Sequence, residues 1–325
     1  MESKYSRHYL IETGMGLQDV DGLKNSSYFI EQSKKYIRGE ISLSELDDII
    51  TSYYKNNQNL DNGNKEADIV SQRISALLSD DSFSLSVSQL QSIHRYLFKD
   101  ILPHPGELRK YNFKKEEWVL NGDSVTYGDY RDLDLEIMIH LNIESRFFYG
   151  GLTQDEIAEH LAWFVSTLWQ KHPFEEGNTR TTVVFFIKYL RSLGFDVTND
   201  LFAKNSWYFR NALVRSNYIN VPKGIRNDDS YLVKCLHTLL FNEENSFSNK
   251  ELIVTSIPLE KSSNKGNRIL ALIENNPKIK ISEIASSLNI SERTVKNLLH
   301  VLKNDGVISR AGGKKSGYWI ISKKN

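Results

Sequence analysis

The chain has 325 residues, and its 41 Lys and Arg residues balance 41 Asp and Glu residues, so the net charge of the whole molecule gives no argument for a polyanionic partner. The length predicts two or three domains, and 40% hydrophobic residues are ordinary for a globular protein with a sizeable core. The single cysteine, Cys235, excludes an intramolecular disulfide and a cysteine-based metal site.

Charge is unevenly distributed along the chain. From Lys265 onwards there are 12 Lys and Arg residues against 4 Asp and Glu residues, a net charge of +8, so the preceding residues carry −8. This asymmetry predicts that the C-terminal part meets a polyanion. The first residues, MESKYSRHYL, lack an apolar signal core, and no apolar run reaches membrane-spanning length. We therefore expect a cytoplasmic protein without a membrane partner.

Two short helices are predicted in an N-terminal segment that ends at residue 60. The stretch SSYFIEQSKKYIRG has apolar residues at helical spacing and stops at Gly39. The next helix begins after Ser42, and Glu45 three residues on completes a capping box. The polar stretch YKNNQNLDNGNK then predicts a loop.

Helices also dominate residues 61–245, which we assign to a second domain. At residues 116–127, EEWVLNGDSVTY has Asn-Gly between two apolar runs and predicts a β-hairpin. Thr153 and Glu156 form a second capping box. The following segment, Thr181 to Leu193, is so apolar that it predicts a buried central helix.

Residues 265–325 follow a linker at 246–264 and predict a winged helix-turn-helix domain. Three helical segments precede two short strands, GVISRAGG and SGYWIISKK. The second helix of a helix-turn-helix enters the DNA major groove, here Ser291 to Asn304, although protein interaction is the alternative use of this fold. The candidate DNA-binding residues are Arg293, Lys296, Asn297, Lys314 and Lys315.

The stretch KHPFEEGNTRTT, from Lys171 to Thr182, concentrates the chemistry of the chain ahead of the predicted buried helix. A helix N-terminus attracts anions, and Gly177 lets the backbone come close to a phosphate. Glu176 suits Mg²⁺ beside phosphates, and Arg180 can neutralise a polyphosphate. His172, with an ordinary pKa of about 6.5, can accept the proton of an attacking hydroxyl.

The same stretch also has a structural interpretation. A His-Pro-Phe loop often only connects two helices, Gly-Asn can simply start a helix, and Glu176 and Arg180 can form a surface ion pair. Because a base, a metal ligand, an anion site and a cation fall within nine residues, function is favoured.

The run from His172 to Arg180 resembles the motif H-x-F-x-(D/E)-G-N-(G/x)-R-x-x-R of the Fic family, and GELRKYNFKKEEW also resembles the segment leading into the Fic flap. The resemblance covers roughly residues 66–242. It implies a mainly α fold, a Fic-type helical bundle with a small β-hairpin flap at 116–127.

It also implies transfer of a nucleotide monophosphate, usually AMP from ATP, to a Ser, Thr or Tyr hydroxyl of a protein target or of the chain itself. Carried over by position, the base is His172, the Mg²⁺ ligand is Glu176, and the phosphate cradle is Gly177, Asn178, Thr179 and Arg180. The flap would align the target by strand addition.

Two positions depart from the Fic motif. Thr179 replaces the usual glycine, and Val183 stands where the family has a second arginine, which contacts the γ-phosphate and pairs with an inhibitory glutamate. The N-terminal segment resembles an antitoxin-like module that carries such a glutamate, and its imperfect candidates are Asp21 and Glu31. We hypothesise that this inhibition has decayed, so that substituting either acid leaves activity nearly unchanged.

Two residues downstream of the motif are candidates for contacting an adenine. Tyr208 can stack on the base and Asn211 can hydrogen-bond to it, with ordinary packing as the alternative for both. His94, His104 and His140 are expected to be structural or surface residues.

Three functions are compatible with these features. The first is a protein adenylyltransferase that uses ATP and Mg²⁺ and carries a DNA-binding domain. The second is a low-turnover, ATP-sensing DNA-binding regulator, because Val183 weakens the phosphate site. The third is a Fic enzyme that uses another nucleotide. A homodimer also fits, because a single helix-turn-helix module usually needs dimerisation for useful affinity.

Overall fold

The structure, a computed structural model, describes residues 3–57, 62–254, 268–288, 290–304, 307–311 and 317–321. They form two compact units, one drawn from Met1–Ile219 and Arg226–Val254, the other from Asn220–Ile225 and Thr255–Asn325. Most described residues are helical, which confirms the mainly α prediction. Within these ranges no helix is both long and apolar enough to cross a bilayer.

The first unit is built from ten α-helices within its described residues. They are α1 (Arg7–Gly16), α2 (Ser27–Ile37), α3 (Leu43–Asn56), α4 (Asn62–Ser79), α5 (Val87–Phe98), α6 (Leu133–Glu144), α7 (Gln154–Lys171), α8 (Asn178–Ser192), α9 (Leu201–Ser216) and α10 (Ser230–Phe241). Short 3-10 turns lie at Leu17–Asp21, Trp118–Leu120 and Asn249–Leu252. Both predicted capping boxes are present, at the starts of α3 and α7.

Helix α8 occupies the centre of this unit, as its composition predicted. Every residue from Asn178 to Leu190 is buried. Helices α4, α5 and α7 pack around it. The segment that begins with the second half of the motif is therefore surrounded by protein along most of its length.

Helix α1 was not predicted from the sequence. Its polar and apolar residues do not separate onto two faces, because both α4 and α9 pack against it. Gly14 permits the close crossing with α4, since a Cβ atom there would lie 2.4 Å from the carbonyl oxygen of Ser71. The N-terminal segment is thus part of the same compact unit as the motif.

The predicted β-hairpin at residues 116–127 is only partly correct. Asn121 and Gly122 have φ of 55° and 87°, and the N–H of Asp123 donates to the carbonyl of Leu120, as in the tight turn that Asn-Gly favours. The residues on either side do not form paired strands, and Trp118–Leu120 is a 3-10 turn. Across the turn the N–H of Glu117 donates to the carbonyl of Asp123 at 2.9 Å, and the carbonyl of Val119 accepts a hydrogen bond from the N–H of Val254 at 2.7 Å.

The second unit contains the predicted winged helix-turn-helix elements. Helices cover residues 268–275, Ile281–Leu288 (α12) and Glu292–Asn304 (α13), and the first of these is α11. Strands β1 (Ile308–Ala311) and β2 (Tyr318–Ile321) pair antiparallel, with Ile308 opposite Ile321. The core of this unit contains Val295 and Leu299 of α13.

Candidate active site

The motif loop joins α7 to α8, and His172 lies at the point where α7 ends. His172 has φ 47° and ψ 58°, a left-handed conformation that costs a residue with a Cβ about 1–3 kcal/mol. Arg109 holds this turn, because its Nε donates to the carbonyl of His172 and its backbone N–H donates to that of Pro173, both at 2.8 Å. Arg109 lies in the segment that resembles the approach to the flap, but its contact with the histidine was not predicted.

The imidazole of His172 is enclosed by aromatic rings. Its centroid lies 4.2 Å from Tyr127, 5.4 Å from Trp169 and 5.5 Å from Phe113. Burial, reinforced by the positive charges of three basic residues, of which Lys115 is the strongest, holds the pKa of His172 well below its ordinary value. Its Nδ1 atom is buried without a hydrogen-bond partner. The ring is therefore neutral near pH 7 and retains an atom able to accept a proton.

Gly177 starts α8 in a conformation that requires glycine. Its φ is 72°, and a Cβ atom would lie 2.4 Å from the ring of Phe98. The first backbone hydrogen bond of α8 joins the N–H of Thr181 to the carbonyl of Gly177. The N–H groups between these two residues therefore have no partner within the helix. These N–H groups lie at the end of the helix where the sequence predicted an anion site.

The loop is braced from two sides. His94 Nδ1 accepts from the N–H of Gly106 at 2.7 Å, so its Nε2 carries the proton and donates to the carbonyl of Glu176 at 3.1 Å. The ring of His94 also stacks on Phe174 at 3.8 Å. Phe174 is 1% exposed, so its ring anchors the loop in the core, and His94 has the structural position that was expected.

The side chains of Asn178 and Thr179 are already engaged with protein. Asn178 accepts from the N–H of Phe174 and donates to its carbonyl, at 2.9 and 2.8 Å. Thr179 Oγ1 accepts from the indole N–H of Trp169 at 3.0 Å. Both side chains therefore stabilise the loop. What these two residues can still offer a phosphate is their backbone N–H groups and the hydroxyl proton of Thr179.

Arg180 contacts three residues from the N-terminal third of the chain. Its Nη2 donates to Glu66 Oε1 at 2.7 Å, and its Nη1 donates to Gln18 Oε1 at 3.0 Å. Its Nε lies 2.8 Å from Asp21 Oδ2, without the alignment of a hydrogen bond. Two carboxylates thus hold the guanidinium where the sequence expected a polyphosphate, and neither Gln18 nor Glu66 was predicted to be there.

Of the two inhibitory candidates, the structure brings only Asp21 to the motif. Asp21 ends the 3-10 turn that follows α1, and this turn packs on α8 and α9. Glu31 is exposed on α2. The partner of Asp21 is the first motif arginine, Arg180, because Val183 stands in place of the second one.

A cavity of about 790 Å³ opens beside Glu176 and Arg180. Six acidic residues reach it, of which Glu176 is exposed, and so do four basic residues and two tryptophans. The residues lining the cavity are Asp19, Val20, Asp21, Gly22, Leu23, Lys24, Glu66, Leu102, Lys115, Glu116, Glu117, Trp118, Glu176, Arg180, Trp207 and Arg210. His172 is not among them, so the site as it stands brings the metal-ligand candidate and the cation together but keeps the base enclosed.

The predicted adenine contacts are not at the cavity. Tyr208 is 1% exposed and packs on Phe247, and Asn211 is fully buried and donates to Asn249. The geometry corrects the sequence prediction, because α9 turns these side chains toward the 3-10 turn at Asn249–Leu252. The same helix presents Trp207 to the cavity instead.

A buried ion pair fixes the flap segment to α9. Arg210 donates to both carboxylate oxygens of Glu117, at 2.5 and 3.0 Å, and Glu117 is fully buried. Tyr127, whose ring covers His172, donates its hydroxyl to Glu117 at 3.1 Å. This connection holds the aromatic wall of the histidine in place.

The DNA-binding candidates are only partly described. Lys296 is exposed on α13 and lies 3.9 Å from Glu292. The side chains of Arg293 and Asn297, and residues Lys314 and Lys315 altogether, lie outside the described part of the chain.

Two family models match the chain. Residues 84–190 match the Fic/DOC family, and residues 264–309 match the winged helix-turn-helix DNA-binding model. The "Probable protein adenylyltransferase y4lH" of Sinorhizobium fredii is 23% identical over 133 residues. The match spans 41% of this chain and 65% of that relative, slightly less than two thirds of its length.

Solved structures of Fic proteins are also similar, at low identity. The N-terminal FIC domain of the Bep8 effector from Bartonella sp. 1-1C is 16% identical, with 56% of this chain and 88% of that chain covered and a TM-score of 0.43. A Fic family protein from Desulfovibrio desulfuricans G20 is 13% identical, with 98% and 88% covered and a TM-score of 0.45. A Fic domain containing signaling protein from Bacteroides thetaiotaomicron is 15% identical, with 74% and 90% covered and a TM-score of 0.47.

Together with the motif and the helices that carry it, the family matches show that this chain contains a Fic/DOC family domain at residues 84–190 and a winged helix-turn-helix domain at residues 264–309.

Proposed function

We propose that the chain is a Fic-type protein adenylyltransferase that moves AMP from ATP to a Ser, Thr or Tyr hydroxyl, on a partner protein or on itself. The observation that carries the proposal is the buried helix α8, whose glycine-initiated N-terminus lies beside the cavity that Glu176 and Arg180 line. The relative from Sinorhizobium fredii bears the name of such an enzyme, which supports the reaction class.

In this proposal the reaction is an exchange of phosphate bonds. The target hydroxyl oxygen bonds to the α-phosphorus of ATP, the bond from that phosphorus to the β-phosphate bridge breaks, and pyrophosphate leaves. His172 takes the hydroxyl proton, which its low pKa allows because the imidazole is neutral beforehand. The backbone N–H groups that follow Gly177 and the guanidinium of Arg180 stabilise the charge on the phosphates.

The residues present fit a Mg²⁺ ion that arrives with the nucleotide. Glu176 lines the cavity, and no basic side chain of the described residues pairs with its carboxylate. Among those residues no group of three His, Cys, Asp or Glu side chains could hold a metal alone. One carboxylate completed by phosphate oxygens and water is the arrangement that Mg²⁺ prefers. When bound, the ion would neutralise phosphate charge.

The proposal requires a movement of the flap segment. His172 is enclosed by Tyr127 and Phe113, so a target hydroxyl reaches the imidazole only when this wall shifts. A target segment that pairs with the backbone near residues 116–127 would provide the binding free energy for the shift. In this movement Glu117 stays bound to Arg210 of α9, and the wall that covers His172 moves relative to this ion pair.

Incubation with ATP labelled at the α-phosphate, in the presence of Mg²⁺, tests this function. We expect label on protein, lost in His172→Ala and retained in His104→Ala, a surface histidine that serves as the matched control. A panel of labelled nucleotides decides between ATP and another donor. Label that survives in His172→Ala would refute the assigned base.

A second candidate function is a low-turnover ATP sensor coupled to the DNA-binding domain. Two observations favour it: the carboxylates of Asp21 and Glu66 already contact the Arg180 guanidinium, and Val183 replaces the second motif arginine. Calorimetric ATP binding with a Kd below about 10 µM but no label transfer to any protein would support the sensor. Transfer at a rate of turnovers per minute or faster would favour the enzyme.

For the C-terminal domain we propose DNA binding through α13. The family match and the net positive charge of this part of the chain support it. Lys296→Glu should weaken binding to duplex DNA. It should also reduce the slope of log binding constant against log salt concentration by roughly one or two units. Lys303→Glu, at the other end of the helix, should weaken DNA binding less. Undetectable binding at low salt would remove the assignment.

A further inference from the structure

We propose that the exposed face of α6 forms a homodimer interface in solution, by antiparallel packing against the same face of a second copy. The α6 face is defined by four side chains that are 45–52% exposed. They are Leu135, Met138, Ile139 and Ile143. Their spacing places them on one stripe of the helix.

Helix α6 is apolar on both sides. The opposite side is buried in the first unit through Leu133, Ile137 and Leu141. Polar residues such as Asp134 and Asn142 lie between the two apolar sides, and an exposed apolar stripe of this kind marks an interaction surface. The first unit covers only half of α6, so the α6 face is a surface that calls for a second partner.

A neighbouring aromatic side chain enlarges the α6 face. Trp163 of α7 is 41% exposed, and its ring lies 5.0 Å from that of His140 on α6. Because an aromatic side chain presents about 150–250 Å², Trp163 adds roughly 100 Å² to the four half-exposed aliphatic side chains. A patch of a few hundred Å² is the size that marks an interaction site on a protein surface.

The sequence of α6 is complementary to itself in the antiparallel direction. If Ile139 lies on a two-fold axis and meets its own copy, Leu135 of one chain lies opposite Ile143 of the other. The same register places Asp132, just before α6, opposite Arg146, just after it, and both are exposed. Charge complementarity at both ends and an apolar centre therefore result from one symmetry operation.

The antiparallel direction has a second advantage. The partially positive N-terminus of each α6 lies beside the partially negative C-terminus of the other, so the helix dipoles attract. A parallel arrangement would place Asp132 against Asp132 and the dipoles side by side in the same sense. The charges of this helix thus favour a second copy in one orientation.

Sedimentation equilibrium of the full chain, from about 1 to 100 µM, measures the association. We expect a dimer that Ile139→Glu weakens at least about 100-fold, because two carboxylates would meet at the axis. The matched control is Ile30→Glu, a 39%-exposed isoleucine on α2, which should leave the dimer unchanged. Thermal unfolding of both variants establishes that they are folded.

A charge exchange tests the register itself. Asp132→Arg and Arg146→Asp should each weaken dimerisation about tenfold, and the double variant should restore it to within about threefold. A wild-type chain that remains monomeric at 100 µM overturns the proposal. A double variant as weak as the single ones overturns the antiparallel register, and an equal loss in Ile30→Glu overturns the location.

Discussion

The acidic residues around Arg180 lead to the most informative prediction. The sequence suggested that substituting Asp21 leaves activity nearly unchanged, but its carboxylate lies 2.8 Å from the Arg180 guanidinium, whose side chain is 3% exposed. For a phosphate to take its place, this contact must break or tolerate a second anion. We therefore expect Asp21→Asn to strengthen ATP binding.

The geometry sets the size of the effect. The Asp21 contact is not aligned as a hydrogen bond and the acid is 21% exposed, so after solvent screening we assign it about 1 kcal/mol, or a roughly fivefold lower Kd for ATP. Glu66 makes an aligned, charged hydrogen bond to the same guanidinium at 2.7 Å, for which about 1.5–3 kcal/mol is typical. Glu66→Gln should therefore lower the Kd at least about tenfold.

Isothermal titration calorimetry with ATP and Mg²⁺ measures both changes, and label transfer shows whether turnover follows. Asp19→Asn is the matched control, because Asp19 lines the same cavity and loses the same charge but pairs with the exposed Lys24. If Asp19→Asn strengthens binding as much as Asp21→Asn, general charge in the cavity explains the result and the contact with Arg180 does not. An unchanged Kd in both Asp21→Asn and Glu66→Gln would refute the reasoning and restore the original hypothesis.

Three further variants test the loop and its supports. Gly177→Ala should lower the free energy of unfolding by at least about 2 kcal/mol and weaken nucleotide binding, whereas Gly151→Ala, at φ 84° in open space, should cost only about 1 kcal/mol and leave binding intact. Glu117→Gln leaves Arg210 buried without its anion, so chemical denaturation should show a loss of about 3–5 kcal/mol; a loss below about 1 kcal/mol would contradict the buried pair. His94 has a pKa of about 4 because it is buried, against about 6.5 when unfolded, so its stabilisation is complete above pH 6.5 and falls by about 3 kcal/mol as the pH drops to 4. His94→Asn should flatten that part of the stability profile measured by denaturant titration, and an equally steep profile would show that other groups cause it.

Local signals predicted the central part of the molecule well. The capping boxes, the apolar α8 and the glycine before it each depend on residues close in sequence, and the structure confirms all of them. The flap segment was predicted less well: the Asn-Gly turn is present, but Val119 hydrogen-bonds to Val254, which is distant in sequence. Sequence pattern records local preference and not such distant partners.

The parts of the site that were missed have the same cause. Glu66 and Gln18 reach Arg180 from more than a hundred residues away, and nothing in their local sequence marks them. Tyr208 lies on a helix, as expected, but its side chain packs on Phe247, while the adjacent Trp207 reaches the cavity. Two adjacent aromatic residues leave the orientation of α9 ambiguous in the sequence.

The close packing of α1 on α4 has a consequence for how Arg180 could ever be released. A carboxylate on a separate chain would leave by dissociation, and its occupancy would depend on the concentration of that chain. Asp21 belongs to the same chain as Arg180 and cannot be diluted away, so breaking their contact requires a rearrangement within one compact unit. Cutting the chain near residue 60 would strip cover from α4 and α9, so any change in ATP binding by the product would reflect lost packing as well as the loss of Asp21.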